Sequence, residues 1–200
     1  MVTPPWLSNL VWTDYRLAVL LTVLLPLGLL IWSLVEKADA IRNLLAIYWK
    51  VASLLLITVY LLIAALPIGF MAGWLARILI PISLWFWADL NEEIAEQRPT
   101  PLKLVFSAWR WAVSIYCLLG VLGQVPVLRC AFMAQDALLK EPLCQVWLEA
   151  PWGFRALLHG TTRPWFLGFL GLAGLAIYVL YFGYFVLFRL GRQGRSATGQ

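Results

Sequence analysis

Arg77 lies in GWLARILIPISLWFW, residues 73–87, an arginine inside a run otherwise apolar enough for a bilayer. Near the centre of a membrane helix an arginine costs about 2.5–3.5 kcal/mol on the insertion scale, so something must offset it. Pro81 offers local help: it has no N–H, which leaves the carbonyl of Arg77 without its helical donor and favours a kink. Gly69 and Gly73 form a G-x-x-x-G just upstream, with Ala72 and Ala76 as a second small pair, and another helix can close on that face. Three readings follow. Arg77 snorkels to the headgroups or caps the carbonyls freed at Pro81, or it meets a carboxylate, phosphate or carbonyl of a partner on the small-residue face, or it lines a substrate path. The third is the weakest, because no acidic residue falls inside any of the apolar runs described below.

The acidic stretch DLNEEIAEQR is the second chemical feature. Asp89, Glu92, Glu93 and Glu96 recur at i, i+3, i+4 and i+7, one face of a helix. Such a face can take a cation or a basic partner, or pair with Lys37, Arg42, Lys103 or Arg110; a solvated or salt-bridged face is the expectation. Paired glutamates followed by an arginine invite comparison with the intramembrane CAAX-type proteases. Arg98 follows after four residues instead of three, however, and that family's histidines have no counterpart beyond His159. With one histidine, no E-x-x-H, no G-x-S-x-G, no Walker A and no G-x-G-x-x-G, the chain is expected to be non-enzymatic, with no catalytic residue, metal site or cofactor.

These residues must be held by membrane helices. The 200 residues are 62% hydrophobic and only 12% charged, with mean hydropathy +0.83, leaving too little polar surface to cover a globule in water. The net charge of +5 comes from basic residues scattered at the ends of apolar runs, which reads as topology and excludes a nucleic-acid footprint. The fold class is therefore all-α, a polytopic membrane bundle. Spans are expected at about 17–35, 51–69, 70–88, 105–128 and 165–188; the alternative is four, with a re-entrant or interfacial bend after Pro67. Residues 1–16 would form an external N-terminal segment, 129–164 an external loop, and 189–200 a basic cytoplasmic tail. The first span has no basic n-region and no A-x-A-like site, so it reads as an anchor and not as a cleaved signal.

Ile41, Leu44, Leu45 and Tyr48 share one helical face between the first two spans, so 36–50 is either a short interfacial helix or an extension of the second span. Trp32, Trp49, Trp85, Trp87, Trp109, Trp111 and Trp165 sit at span ends and read as an aromatic belt. Nine basic residues (Lys37, Arg42, Lys50, Arg98, Lys103, Arg110, Arg189, Arg192, Arg195) fall on one side. Five (Arg16, Arg129, Lys140, Arg155, Arg163) fall on the other, which places the N-terminus outside and the C-terminus in the cytoplasm. Cys130 and Cys144 then lie outside, where a disulfide persists and would stabilise the loop by about 3 kcal/mol; the alternative is two free thiols. Cys117 falls within a span and reads as a buried thiol.

LARILIPISLWFWADLNEE, with YWKVASLLLITVYL before it and LYFGYFVLFRLGRQGRS at the C-terminus, resembles an uncharacterised family of cyanobacterial membrane proteins of about this length. The resemblance carries no catalytic residues. It implies a thylakoid or plasma membrane, with the cysteine segment facing lumen or periplasm. The expected function is a non-enzymatic membrane scaffold, auxiliary subunit or assembly factor. It would contact lipids and a protein partner through Arg77, Gly69, Gly73 and the acidic face. A small transporter or channel using Arg77 is the alternative.

Overall fold

The computed structural model describes residues 5–190, 196 and 197. The first four residues and most of the basic tail, including Arg192 and Arg195, lie outside the described residues. The described residues form helices and no strands. Five helices are long and apolar enough to cross a membrane: α1 (Trp6–Val35), α2 (Asp39–Ile63), α3 (Ile68–Trp85), α5 (Pro101–Phe132) and α8 (Pro164–Phe188). The chain is thus an integral membrane bundle of five spans. Between them lie α4 (Ala88–Glu96) on one side of the bundle, and α6 (Gln135–Leu138) and α7 (Pro142–Leu158) on the other.

Several boundaries differ from those the apolar runs suggest. Helix α1 is continuous from Pro5, so its last dozen residues before Leu17 extend the first span instead of standing apart from it. Residues 39–50 extend α2 without a break, with Ile41, Leu44, Leu45 and Tyr48 all buried. The interfacial reading of that stretch gives way, because those four side chains face protein. Helix α3 runs through Pro81 to Trp85 and crosses, which removes the four-span alternative.

Helix α2 is the axis of the bundle and packs on α1, α3, α4, α7 and α8. Its contact with α3 is close because Gly69 meets Leu61 and Leu62, and Gly73 meets Thr58. On its other flank Gly168, Gly171 and Gly174 of α8 face Ala64, Leu61 and Ile57; a Cβ on Gly168 would lie 2.4 Å from that of Ala64. Small residues on one helical face let the two backbones approach, the usual device where lipid removes any hydrophobic drive to pack.

Helix α1 contains a π-helical stretch, Val19–Leu24, ending just before Pro26. Pro26 has no N–H for the carbonyl of residue 22, and the widened turn leaves a second carbonyl short. Both are met from neighbouring spans: Tyr48 Oη donates to Thr22 O at 2.7 Å, and Trp109 Nε1 donates to Leu21 O at 2.8 Å. Trp109 and Trp87 are both core residues, and the belt reading holds for neither; Trp111 and Trp165 remain uncovered by protein.

Candidate functional site: the Asp14–Arg77–Tyr116 cluster

The site is built from three spans. Arg77, midway along α3, sends its guanidinium to Asp14 of α1, and Nη2 donates to Asp14 Oδ2. The side chains are 8% and 15% exposed respectively, so the pair is held away from solvent. Tyr116 of α5 completes the cluster: its hydroxyl lies 3.0 Å from both Asp14 Oδ1 and the Asp14 carbonyl. The guanidinium carbon stands 5.2 Å from the Tyr116 ring centroid, within cation–π range. One turn further along α5, Gly120 leaves the room that the guanidinium occupies; a Cβ there would fall 1.9 Å from Arg77 Nη1.

The arrangement answers why an arginine is tolerated in this span. Each carboxylate oxygen has a donor, and the buried cation has a counter-charge, which is the condition under which a buried ion survives. The expectation that Arg77 lacks an acid within the spans is thereby corrected. The acid is Asp14, which the longer α1 carries into the bundle. Snorkelling and carbonyl capping are not what the guanidinium does. Gly69 and Gly73 are likewise corrected as an external docking face, because α2 of the same chain occupies it.

Arg77 also forms part of the wall of a cavity of about 860 Å³ between α1, α2, α3, the end of α5 and the roof helix α7. The lining is almost wholly apolar. Arg16, Tyr15 and Gln124 supply polar groups toward its N-terminal side, and no carboxylate lines it. Asp14 thus ties α1 to α3 and α5 beside the cavity.

The roof is fastened to the same helix. Ser8 Oγ and Trp12 Nε1 donate to Glu149 Oε2 at 2.9 and 3.3 Å, and Tyr15 Oη donates to Trp147 O at 3.3 Å. Cys130, at the end of α5, is bonded to Cys144 in α7, with Cα atoms 5.9 Å apart, and Cys117 is a buried free thiol. His159 ends α7, with Nε2 3.1 Å from Tyr60 Oη.

On the opposite side, α4 presents Glu92, Glu93 and Glu96 uncovered, and among the described residues none of the three makes an ion pair. Three of the cations on that side, Arg42, Lys103 and Arg110, are engaged elsewhere. Arg42 pairs with Asp39 at 2.8 Å, and Lys103 Nζ donates to the Ala95 and Gln97 carbonyls at 2.7 Å. Arg110 donates to Asn91 and stacks 3.9 Å over Trp85. Asp89 stands apart from the three glutamates: its Oδ2 accepts from Ala197 N at 2.8 Å and Ser196 Oγ at 3.1 Å. Among the described residues no three of His, Cys, Asp or Glu converge as a metal site would require.

Asp14, Tyr116 and Gly120 carry the site, and residue spacing alone did not single them out. One signal was present: Val11, Asp14 and Tyr15 stand at helical spacing upstream of the apolar run, on the face that Thr22 continues within it. Neither a curated protein nor a solved structure matches the chain. A family does, over residues 8–198, from the start of α1 to the tail. The chain belongs to DUF3177, a family of proteins of unknown function.

Proposed function

We propose that the chain is a non-enzymatic auxiliary subunit or assembly factor of a membrane complex, docking laterally through α8 and through the acidic face of α4. The observation that carries this reading is α8 itself. It spans the bilayer yet rests on the bundle by one glycine face, while Phe169, Ile177, Leu180 and Tyr184 point away from the protein. Lipid alone can cover such a surface, and so can another span. Glu92, Glu93 and Glu96 lie on the side where α8 ends, so a partner with a basic segment beside an apolar span would meet both surfaces together.

An anion route at Arg77 is the weaker reading, because that guanidinium is compensated by Asp14. The resemblance of the sequence to cyanobacterial membrane proteins favours a photosynthetic membrane, and the distribution of basic residues favours an outside N-terminus and a cytoplasmic C-terminus. The test is a tagged pull-down from native membranes in mild detergent, with sizing on a native gel. A stoichiometric partner lost on reversing Glu92 and Glu93 to lysine supports docking through α4. A lone chain, or a complex indifferent to that reversal and to polar substitution of Ile177 and Leu180, overturns the reading.

A further inference from the structure

We infer that the cavity between α1 and α2 is a binding crevice for one bilayer lipid with an anionic headgroup. Its dimensions suit that occupant. The lining runs along α1 from Trp12 to Leu24 and along α2 from Trp49 to Leu62. At 1.5 Å per residue each wall is roughly 18–20 Å tall, slightly more than one leaflet's share of a hydrocarbon core about 30 Å thick. A volume of about 860 Å³ falls within the range of specific ligand sites.

The polarity of the walls follows that of a lipid in the leaflet on the N-terminal side. Toward the C-terminal side the wall is Leu20, Val23, Leu24, Leu55 and Leu56, a surface for an acyl chain. Toward the N-terminal side stands Arg16, a lining cation that is exposed and makes no ion pair or hydrogen bond among the described residues. Arg77 is neutralised by Asp14, and no carboxylate lines the cavity, so Arg16 leaves the crevice with a net positive wall. Charge complementarity selects an anionic head over a zwitterionic one.

A second observation concerns the walls themselves. Arg77 Nη1, Gln124 Oε1, Trp147 Nε1 and Trp49 Nε1 are buried polar atoms without a hydrogen-bond partner among the described residues, and all four belong to lining side chains. Native proteins leave few such atoms unpartnered, and Gln124 and Trp147 bring two of them to the wall beside the roof helix. Helix α7 roofs the crevice through Trp147, Pro151 and Phe154, so a lipid there is held from above as well as from the sides.

The experiment uses the full chain in mild detergent, with native mass spectrometry after addition of equal amounts of phosphatidylglycerol and phosphatidylcholine. The wild type is expected to retain one phosphatidylglycerol in preference to phosphatidylcholine. Arg16→Gln is expected to lower that preference by about fivefold, the loss of one basic contact near an anionic head. Arg163→Gln, on the same side but outside the crevice, leaves it unchanged. Ser53→Phe, which fills the lower crevice from α2, reduces retention of either lipid. A wild type without headgroup preference, or a preference untouched by Arg16→Gln, overturns the inference and makes the lipid merely annular. A wild-type dimer that dissociates in Ser53→Phe also overturns it, by placing a second copy of the chain in the crevice.

Discussion

Removing the charge of Asp14 while keeping its shape tests the account of Arg77 most directly. In Asp14→Asn the amide still offers an oxygen to Tyr116, but its NH2 then faces the guanidinium, donor against donor. Arg77 is left as an uncompensated cation with 8% of its side chain exposed. Breaking a buried pair by deleting one partner costs about 3–5 kcal/mol. For a chain of this size that corresponds to a fall in Tm of roughly 6–20 °C, at about 2–4 °C per kcal/mol. The assay is thermal denaturation of the full chain in mild detergent, read by the fluorescence of its twelve tryptophans. The paired substitution Asp14→Leu with Arg77→Met supplies the control, because replacing both ions by apolar groups of similar size is near neutral or stabilising by up to about 4 kcal/mol. Two outcomes refute the reasoning. One is a loss below about 1 kcal/mol for Asp14→Asn, the range of an exposed pair. The other is a double variant no more stable than the single, which would make the site's packing, and not its charge, the quantity that matters.

Gly120→Ala should move the guanidinium off Asp14 and cost about 1–3 kcal/mol by overpacking, with the loss largely absent when Arg77 is already Met; a double-mutant cycle reads this. Tyr48→Phe strands the Thr22 carbonyl that Pro26 cannot serve, for a loss of about 1–3 kcal/mol, and Pro26→Ala in the same chain should recover much of it by restoring the helical donor. Replacing Cys130 and Cys144 by serine should cost about 3 kcal/mol for a loop of this length, and alkylation of the unreduced native protein should label Cys117 alone once the chain is unfolded. Lys37 closes α1 at φ 52°, a left-handed conformation that costs an L-residue about 1 kcal/mol or more, so Lys37→Gly should raise the Tm; no change would show that the turn is not held in that conformation.

The spans were legible in the sequence because crossing a bilayer demands about 20 apolar residues in a row, and side-chain hydropathy reports that directly. The small faces at Gly69, Gly73 and their neighbours were legible too, as places where a helix comes close. Which helix comes close was not, since a glycine states only that there is room. The tryptophans show the same limit. Span-end position suits an interfacial indole, and Trp109 occupies such a position, yet its N–H is used inside the bundle by a carbonyl 88 residues away that a π-helical turn has released. Asp14 escaped for a related reason. Hydropathy begins a span where the apolar run begins, at Leu17, whereas the helix begins a dozen residues earlier and carries polar side chains inward on the face that the run continues. Arg77 itself held the missing information. A cation that cannot be left alone in a span, in a chain with no acid in any apolar run, requires that some helix extend past its run to bring one. The only acid before the first run is Asp14, on a stretch whose spacing already matched the helix that follows. The burial cost of one residue thus constrained the length of a helix 63 positions away, which local propensity could not do.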